Sequence, residues 1–396
     1  MPLIQINIPP TMSASRNPIG WKFAATGNWR TDSAYKVTCK IFEETYHHSN
    51  VYTHFLTLEK RPDDDNIISF DISDILATLV PKTEKPSTTT ARTVTDINKR
   101  YSISFQESGN NIYQLATTYS GYHVIKAGMS EQKGQSIEDQ INSQLFLTNQ
   151  PRIKQTTAHA PEYLTLGIPT TATAATAQMK AVVIYTDDTE SSVFSGPQIA
   201  YQPGDMIQFH AGYNMLGLQN ITPPTDESVV GYKIWIEETT GNTDISDLME
   251  YRFDDCECTP LTRYFCFENT YGGIDTIITS GKSETKMMIT GQQAQRISDP
   301  FRISPERTIM DYSIRHQEQV TQPIGHQSEE SQLWLRELLR TTVAWRVGNS
   351  PTPNIEAEGE WVPISIKKGE SLILKDNEFL NSLSFSYKEA YYQHGT

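Results

Sequence analysis

The chain has 396 residues, enough for two domains, and its net charge of −14 with scattered basic residues argues against a nucleic-acid partner. Only 37% of residues are hydrophobic and 20% charged, a lean interior compensated by Thr, Ser, Asn, Gln and 19 Tyr, the composition of a β-protein rather than a helical one. No run of about 18 apolar residues could form a membrane helix, and the N-terminus lacks the basic and apolar regions of a signal peptide, so synthesis in a cytoplasm is expected.

Alternating apolar residues run through the first part of the chain. LIQINI (3–8), YKVTCKIF (35–42), VYTHFLTL (51–58), IISFDI (67–72) and YSISFQ (101–106) each predict a strand with one buried face. DISDILATL (71–79) opens on Asp and Ser and then spaces its apolar residues helically, which predicts a short helix. The polar, proline-bearing stretch 80–95 reads as a protruding loop. Ile137, Ile141 and Leu145, four residues apart, predict a helix within 134–147. The aperiodic stretch 148–163 with its two prolines then marks a domain boundary.

Strands resume at YLTLGI (163–168), after which TTATAATAQ (170–178) reads as an Ala/Thr loop. MKAVVIY (179–185), QIAYQPGDMIQFHAG (198–212), VGYKIWIEE (230–238), RYFCFEN (263–269), DTIITSG (275–281), TKMMITG (285–291) and TIMDYSI (308–314) continue the strand pattern. SEESQLWLRELLR (328–340) changes period, and Leu333, Leu335, Leu338 and Leu339 give it an apolar helical face. The tail 361–392 reads as three strands joined by KKGE and KDNE turns. The expected fold is mainly β: two β-sandwich-like domains, 1–150 and 151–396, with a few short helices and long loops. The second domain includes the helix 328–340.

Few patterns carry chemistry. Cys256, Cys258 and Cys266 have C-x-C-x7-C spacing, whereas a structural zinc site takes four ligands; His210 or Cys39 would have to arrive from elsewhere. His47 and His48 are adjacent and point oppositely if they lie on a strand, and His316 and His326 sit in a Gln-rich stretch that reads as a loop. The acidic clusters PDDDN (62–66), YTDDTE (185–190) and FDDCE (253–257) fall between strands, where Asp stabilises turns through the nearby backbone. No dinucleotide or phosphate-loop glycine motif is present, and GKSE (281–284) lies between two strands. In YFCFENTYGGIDTIITSG (264–281), Phe265 and Phe267 share one strand face, and Gly272 and Gly273 offer the positive φ of a tight turn. Its carboxylates have no evident partner in sequence. Tyrosines in TYGG, HAGYNML (210–216) and EAYYQHG (389–395) could stack on a sugar or anchor an interface. No catalytic, cofactor-binding or metal-binding residue is expected, and no cofactor.

Four phrases taken together resemble a known group: FDISDIL (70–76), FLTNQPRIKQTTAHAPEYLTL (146–166), CFENTYGGIDTI (266–277) and WVPISIKKGESLILKDNEFLNSLSFSYKEAY (361–391). The set is similar to β-rich tail and baseplate proteins of tailed phages and prophages of Bacteroidetes hosts, with Leu380, Leu383, Phe385 and Ala390 matching a closing-strand pattern. The resemblance implies a non-enzymatic virion subunit in a ring, hub or adaptor, with copies of itself and other virion proteins as partners. A receptor- or carbohydrate-binding module on the tail, touching a host surface glycan, is the alternative it leaves open.

Overall fold

The computed structural model describes residues 3–25, 32–81, 83–86, 91–110, 112–113, 116–129, 136–224, 226–253, 262–295, 309–327, 329–348, 361–367, 381–390 and 393–394. The chain is mainly β and forms two compact units. The first takes Met1–Phe253 together with Glu268–Asp275, and the second Asp254–Phe267 with Thr276–Thr396. Residue 150, the expected domain boundary, therefore lies inside the first unit.

That unit begins with β1 (Ile4–Asn7), β2 (Met12–Ala14), β3 (Gly20–Ala24), β4 (Lys36–Glu44), β5 (Tyr52–Lys60), β6 (Ile67–Asp71) and helix α1 (Ser73–Ala77). After β7 (Ala91–Thr93) come β8 (Asn98–Gly109), β9 (Ile112–Tyr113), β10 (Thr117–Ile125) and α2 (Ile137–Asn142). The sheets β1-β3-β6 and β2-β10-β8-β4-β5 enclose one core. Period-two alternation builds it: Val37, Cys39 and Ile41 of β4 point inward to meet Trp21 and Phe23 of β3. The Phe105 ring lies 5.4 Å from Trp21 and 4.4 Å from Phe23, centroid to centroid. In α2, Ser136 accepts from the Asp139 N–H while the Asp139 carboxylate accepts from the Ser136 N–H, a capping box that starts the helix at Ile137. At α1 the cap works differently from the expected one. Ile72 occupies the cap position, and Asp71 accepts instead from the N–H groups of Ser73 and Ile19.

A second sandwich follows, from β11 (Ile153–Thr156), β12 (Tyr163–Gly167), β13 (Ala175–Tyr185), β14 (Phe194–Tyr201), β15 (Met206–His210), β16 (Val229–Glu238), β17 (Thr243–Asp244) and β18 (Met249–Phe253). Sheets β11-β18-β16-β13-β14 and β12-β15-β7 bury Leu164, Leu166, Val183, Phe209, Ile234 and Tyr251 between them. Strand β13 begins at Ala175, so half of the expected Ala/Thr loop is strand. The stretch 80–95 is corrected as well. Val80, Thr83 and Val94 are buried, and β7 pairs antiparallel with β15 at Ile207–Phe209. A segment from the first half of the chain thus completes a sheet of the second sandwich, which is why the two sandwiches belong to one unit.

The second unit holds β19 (Arg263–Glu268) and β20 (Ile274–Thr279) up to the tip of their hairpin, then β21 (Glu284–Gln295) and β22 (Ile309–Gln327). Helix α3 (Glu329–Arg340), β23 (Ala344–Val347), β24 (Trp361–Ile366), β25 (Asn381–Glu389) and β26 (Gln393–His394) complete it. One sheet runs β20-β19-β23-β24-β25-β22-β21. Its core joins Phe265, Phe267, Phe385 and Tyr387 to Trp334, Leu335 and Leu338 of α3. Leu333, expected on the helix's apolar face, is exposed, and Trp334 takes its place inward. Among the described residues, one helix covers this sheet.

Not every alternating segment buries a face. β1 is exposed along its whole length and β5 nearly so, with Ile4, Ile6, Phe55 and Leu56 all accessible. Phe105→Ala empties the first core and is expected to lower stability by about 3–5 kcal/mol, whereas Phe55→Ala on the exposed outer strand changes it by less than about 0.5 kcal/mol. Urea unfolding of the two variants beside the parent protein measures the contrast.

Candidate functional site

Cysteine chemistry is not assembled among the described residues. Cys39 and Cys266 are buried, in the first and second units respectively; Cys266 Sγ lies 3.3 Å from the Thr276 hydroxyl, and burial pushes the Cys39 thiol up to about 12. Cys256 and Cys258 lie outside the described residues. His210 is buried on β15, where its Nδ1 accepts from the Gly212 N–H at 3.3 Å and its ring lies 4.6 Å from that of Tyr163. Burial alone pushes its imidazolium down to about 4.

Two acidic clusters do serve turns. Asp63 accepts from the N–H groups of Asp65 and Ile67, and Asp187 accepts from that of Thr189. The third, at 253–257, lies largely outside the described residues, as do the side chains of His316, His326 and residues 391–395. His316 and His326 themselves lie on strand β22 instead of the expected loop. Tyr271 and Tyr213 are buried, so neither belongs to a sugar-stacking surface.

The hairpin 264–281 keeps its turn but not its predicted solitude. Gly272 has φ +84, and a Cβ there would lie 2.5 Å from the Lys126 carbonyl oxygen. Gly273 has no positive φ; its constraint is space, since a Cβ would lie 2.7 Å from the Leu147 carbonyl oxygen. The tip residues 268–275 belong to the first unit, and both carboxylates there are partnered. Glu268 accepts from Arg16, from Thr83 at 2.6 Å and from Lys126 at 2.8 Å. Asp275 accepts from Thr148 and from Asn269, each at 2.8 Å, and Asn269 also donates to the Leu147 carbonyl. Arg16 and Lys126 are too distant in sequence from Glu268 for any local pattern to link them.

His47 and His48 correct the sequence reading too. They occupy the turn after β4 instead of a strand, and His48 takes a φ of 58°. That reversal turns both rings to one side, with centroids 4.0 Å apart, where they meet Asp205. Close by, burial, then Arg100 and the two histidines, push His123 down to about 3.

The unpaired sheet edges are the other functional feature. β22 pairs with β25 only from Gln319 to Gln327, whereas β21 pairs with β22 from Thr321 back to Ile309. Among the described residues, β22 then meets the two-residue β26 at Arg315 and His316, opposite Thr290 and Ile289 of β21. Eleven pairs at the usual strand rise span about 35 Å. Glu284–Ile289 is exposed throughout, and Met287, Met288 and Ile289 place three successive apolar side chains on both faces of the outermost strand.

No family model matches the sequence, and no curated protein matches it either. Among solved structures, the chain is similar to trypsin-activated alpha-2-macroglobulin from Escherichia coli, with 8% identity and a TM-score of 0.20 over 98% of this chain and 23% of that one. The native conformation of E. coli alpha-2-macroglobulin gives 7% identity and a TM-score of 0.19 over 82% of this chain and 21% of the other. The chain spans less than a quarter of the length of either, and likeness at this level carries no argument about function.

The His210 environment has a measurable consequence. Its folded value of about 4 lies below the ordinary 6.5. Between those pH values the unfolded chain binds a proton that the folded chain refuses, so stability is present above 6.5 and falls as pH drops towards 4. This residue contributes on the order of 3 kcal/mol to the fall. Urea midpoints across the window should drop less steeply for His210→Gln than for the parent; equal slopes would assign the loss to other groups.

Proposed function

We propose that the protein is a structural subunit of a phage tail or baseplate, working through contacts with copies of itself and with other virion proteins. The single observation that carries the reading is the exposed apolar edge of β21. An exposed apolar edge strand is a template for pairing. Met287, Met288 and Ile289 are exposed on just such an edge.

A second copy of this chain is the occupant the edge fits. In an antiparallel pairing of two copies about Met288, Met287 falls opposite Ile289, so each apolar residue meets another across the seam. Added backbone bonds supply the affinity and the apolar side chains the register. The resemblance of four sequence segments to tail and baseplate proteins supports the setting in a virion.

Light scattering coupled to gel filtration should show an oligomer for the parent and a smaller species for Met287→Lys/Ile289→Lys. Those lysines make the chain less negative, so lost assembly could not come from a larger overall charge. Because each copy carries −14, association should strengthen between about 50 mM and about 500 mM NaCl as like-charge repulsion is screened. A parent protein that stays monomeric across that range would reject the edge. Mass spectrometry of purified particles tests the setting, and a chain missing from them would reject the virion role.

A further inference from the structure

We infer that His47, His48 and Asp205 form a binding site for a first-row divalent transition-metal ion of the Zn²⁺ type. One ligand atom from each of the three residues lies within 4.8 Å of the other two. His47 Nε2 stands 2.8 Å and His48 Nε2 2.6 Å from the same carboxylate oxygen, Asp205 Oδ1. Two imidazoles and one carboxylate match the nitrogen and oxygen preference of zinc and its neighbours, and contrast with the all-oxygen sets of calcium and magnesium.

Both arms of the site are built by backbone constraints. On the first, the Glu44 carboxylate at the end of β4 accepts from the N–H of His48 at 3.2 Å and of Asn50 at 2.9 Å. Arg100 lies 3.3 Å from the same carboxylate. His48 and Asn50 both have positive φ, which non-glycine residues adopt rarely, so this turn is held in its form by the contacts around it. On the second arm, Gln202–Asp205 is a turn closed by the Asp205 N–H on the Gln202 carbonyl, with Pro203 and Gly204 (φ +81) at its centre. Gly204 packs against His123, whose ring would lie 2.5 Å from any Cβ. Asn98 Oδ1 accepts from His123 Nδ1 (3.1 Å) and its Nδ2 donates to the Gly204 carbonyl (2.8 Å), bracing the turn from behind. Asp205 Oδ2 is taken by the Gln202 N–H, which leaves Oδ1 directed at the two rings.

Charge supplies the reason for an ion. The Asp205 side chain is only 4% exposed, and among the described residues no lysine or arginine pairs with it. Nearby positive charge stabilises a carboxylate this buried, and a dication seated among the three side chains would supply it. The His47 side chain is 28% exposed and that of His48 15%, so the rings close the site only partly and leave one face open to solvent. Ligands around a tetrahedral zinc stand about 3.3 Å apart, so uptake would widen the present contacts by roughly half an ångström. It would replace two Nε2–Oδ1 contacts by bonds to the metal, with each imidazole proton carried on Nδ1. The ion would tie the turn after β4 to the turn before β15, residues 157 apart in sequence.

The test uses untagged full-length protein stripped with EDTA and titrated with ZnCl₂ in a calorimeter, with Co²⁺ absorption as the coordination readout. One ion per chain is expected, together with a rise in unfolding temperature that grows with free zinc. His47→Gln alters the most exposed ligand and should keep the fold, yet weaken binding at least about 10-fold. His47→Gln/His48→Gln should abolish it, while His54→Gln, on β5, leaves it unchanged. X-ray absorption of the zinc form should give a nitrogen and oxygen shell near about 2.0 Å. Absence of Zn²⁺ and Co²⁺ binding, unchanged affinity in a folded His47→Gln variant, or a sulfur shell from the cysteines would each overturn the proposal.

Discussion

Every strand edge is a row of N–H and C=O groups that need partners, and this constraint organises the molecule. The first unit meets it with short additions: β2 joins β10 in parallel, β11 joins β18 in parallel, and β7 is lent across to β15. Its long outer strand β5 is blunted by chemistry instead, with Thr53, His54, Thr57, Glu59 and Lys60 along it and a Lys36–Glu59 pair at one end. β21 has no comparable run of polar side chains at its Met-Met-Ile segment. The difference between those two edges separates one lined by polar side chains from one that exposes apolar side chains.

The same accounting holds for buried charge. Glu162 has Lys154 at 2.5 Å and Thr156 at 2.8 Å, Glu44 has Arg100, and Glu268 has Arg16 and Lys126. In each case a full positive charge compensates the desolvated carboxylate. Asp205 departs from this pattern, because its close partners are two imidazoles. Two imidazoles on one buried carboxylate oxygen mark the cluster.

Local pattern was readable where local physics governs. Alternation located β4, β6, β8 and, in the second sandwich, β12, β13, β15 and β16, and a period change located α3, whereas β3, β11 and β18 went unread. It could not say which strands would be outermost, so β1 and β5 looked half-buried although Ile4, Ile6, Phe55 and Leu56 are exposed. It also placed a single boundary near 150, whereas β7 stitches both sandwiches together by pairing residues more than a hundred positions apart. The site residues were hidden for the same kind of reason. His47 and His48 read as opposed only on the premise of a strand, and one positive φ removes that premise. The partners of Glu268 and Asp205 lie far away in sequence, where no spacing rule reaches.

The seat of Glu268 also sets an order of events during synthesis. Arg16 and Lys126 of the first unit find their carboxylate on a segment reached only after Phe253, 252 residues beyond Arg16. At roughly 5–20 residues per second, a ribosome needs on the order of tens of seconds to travel that distance. Until then the first unit stands with two cations and the cavity for Tyr271 unfilled, however well its sandwiches have formed. Residues 268–275 act as the last stave of a cask, and their arrival turns a nascent intermediate into a closed domain.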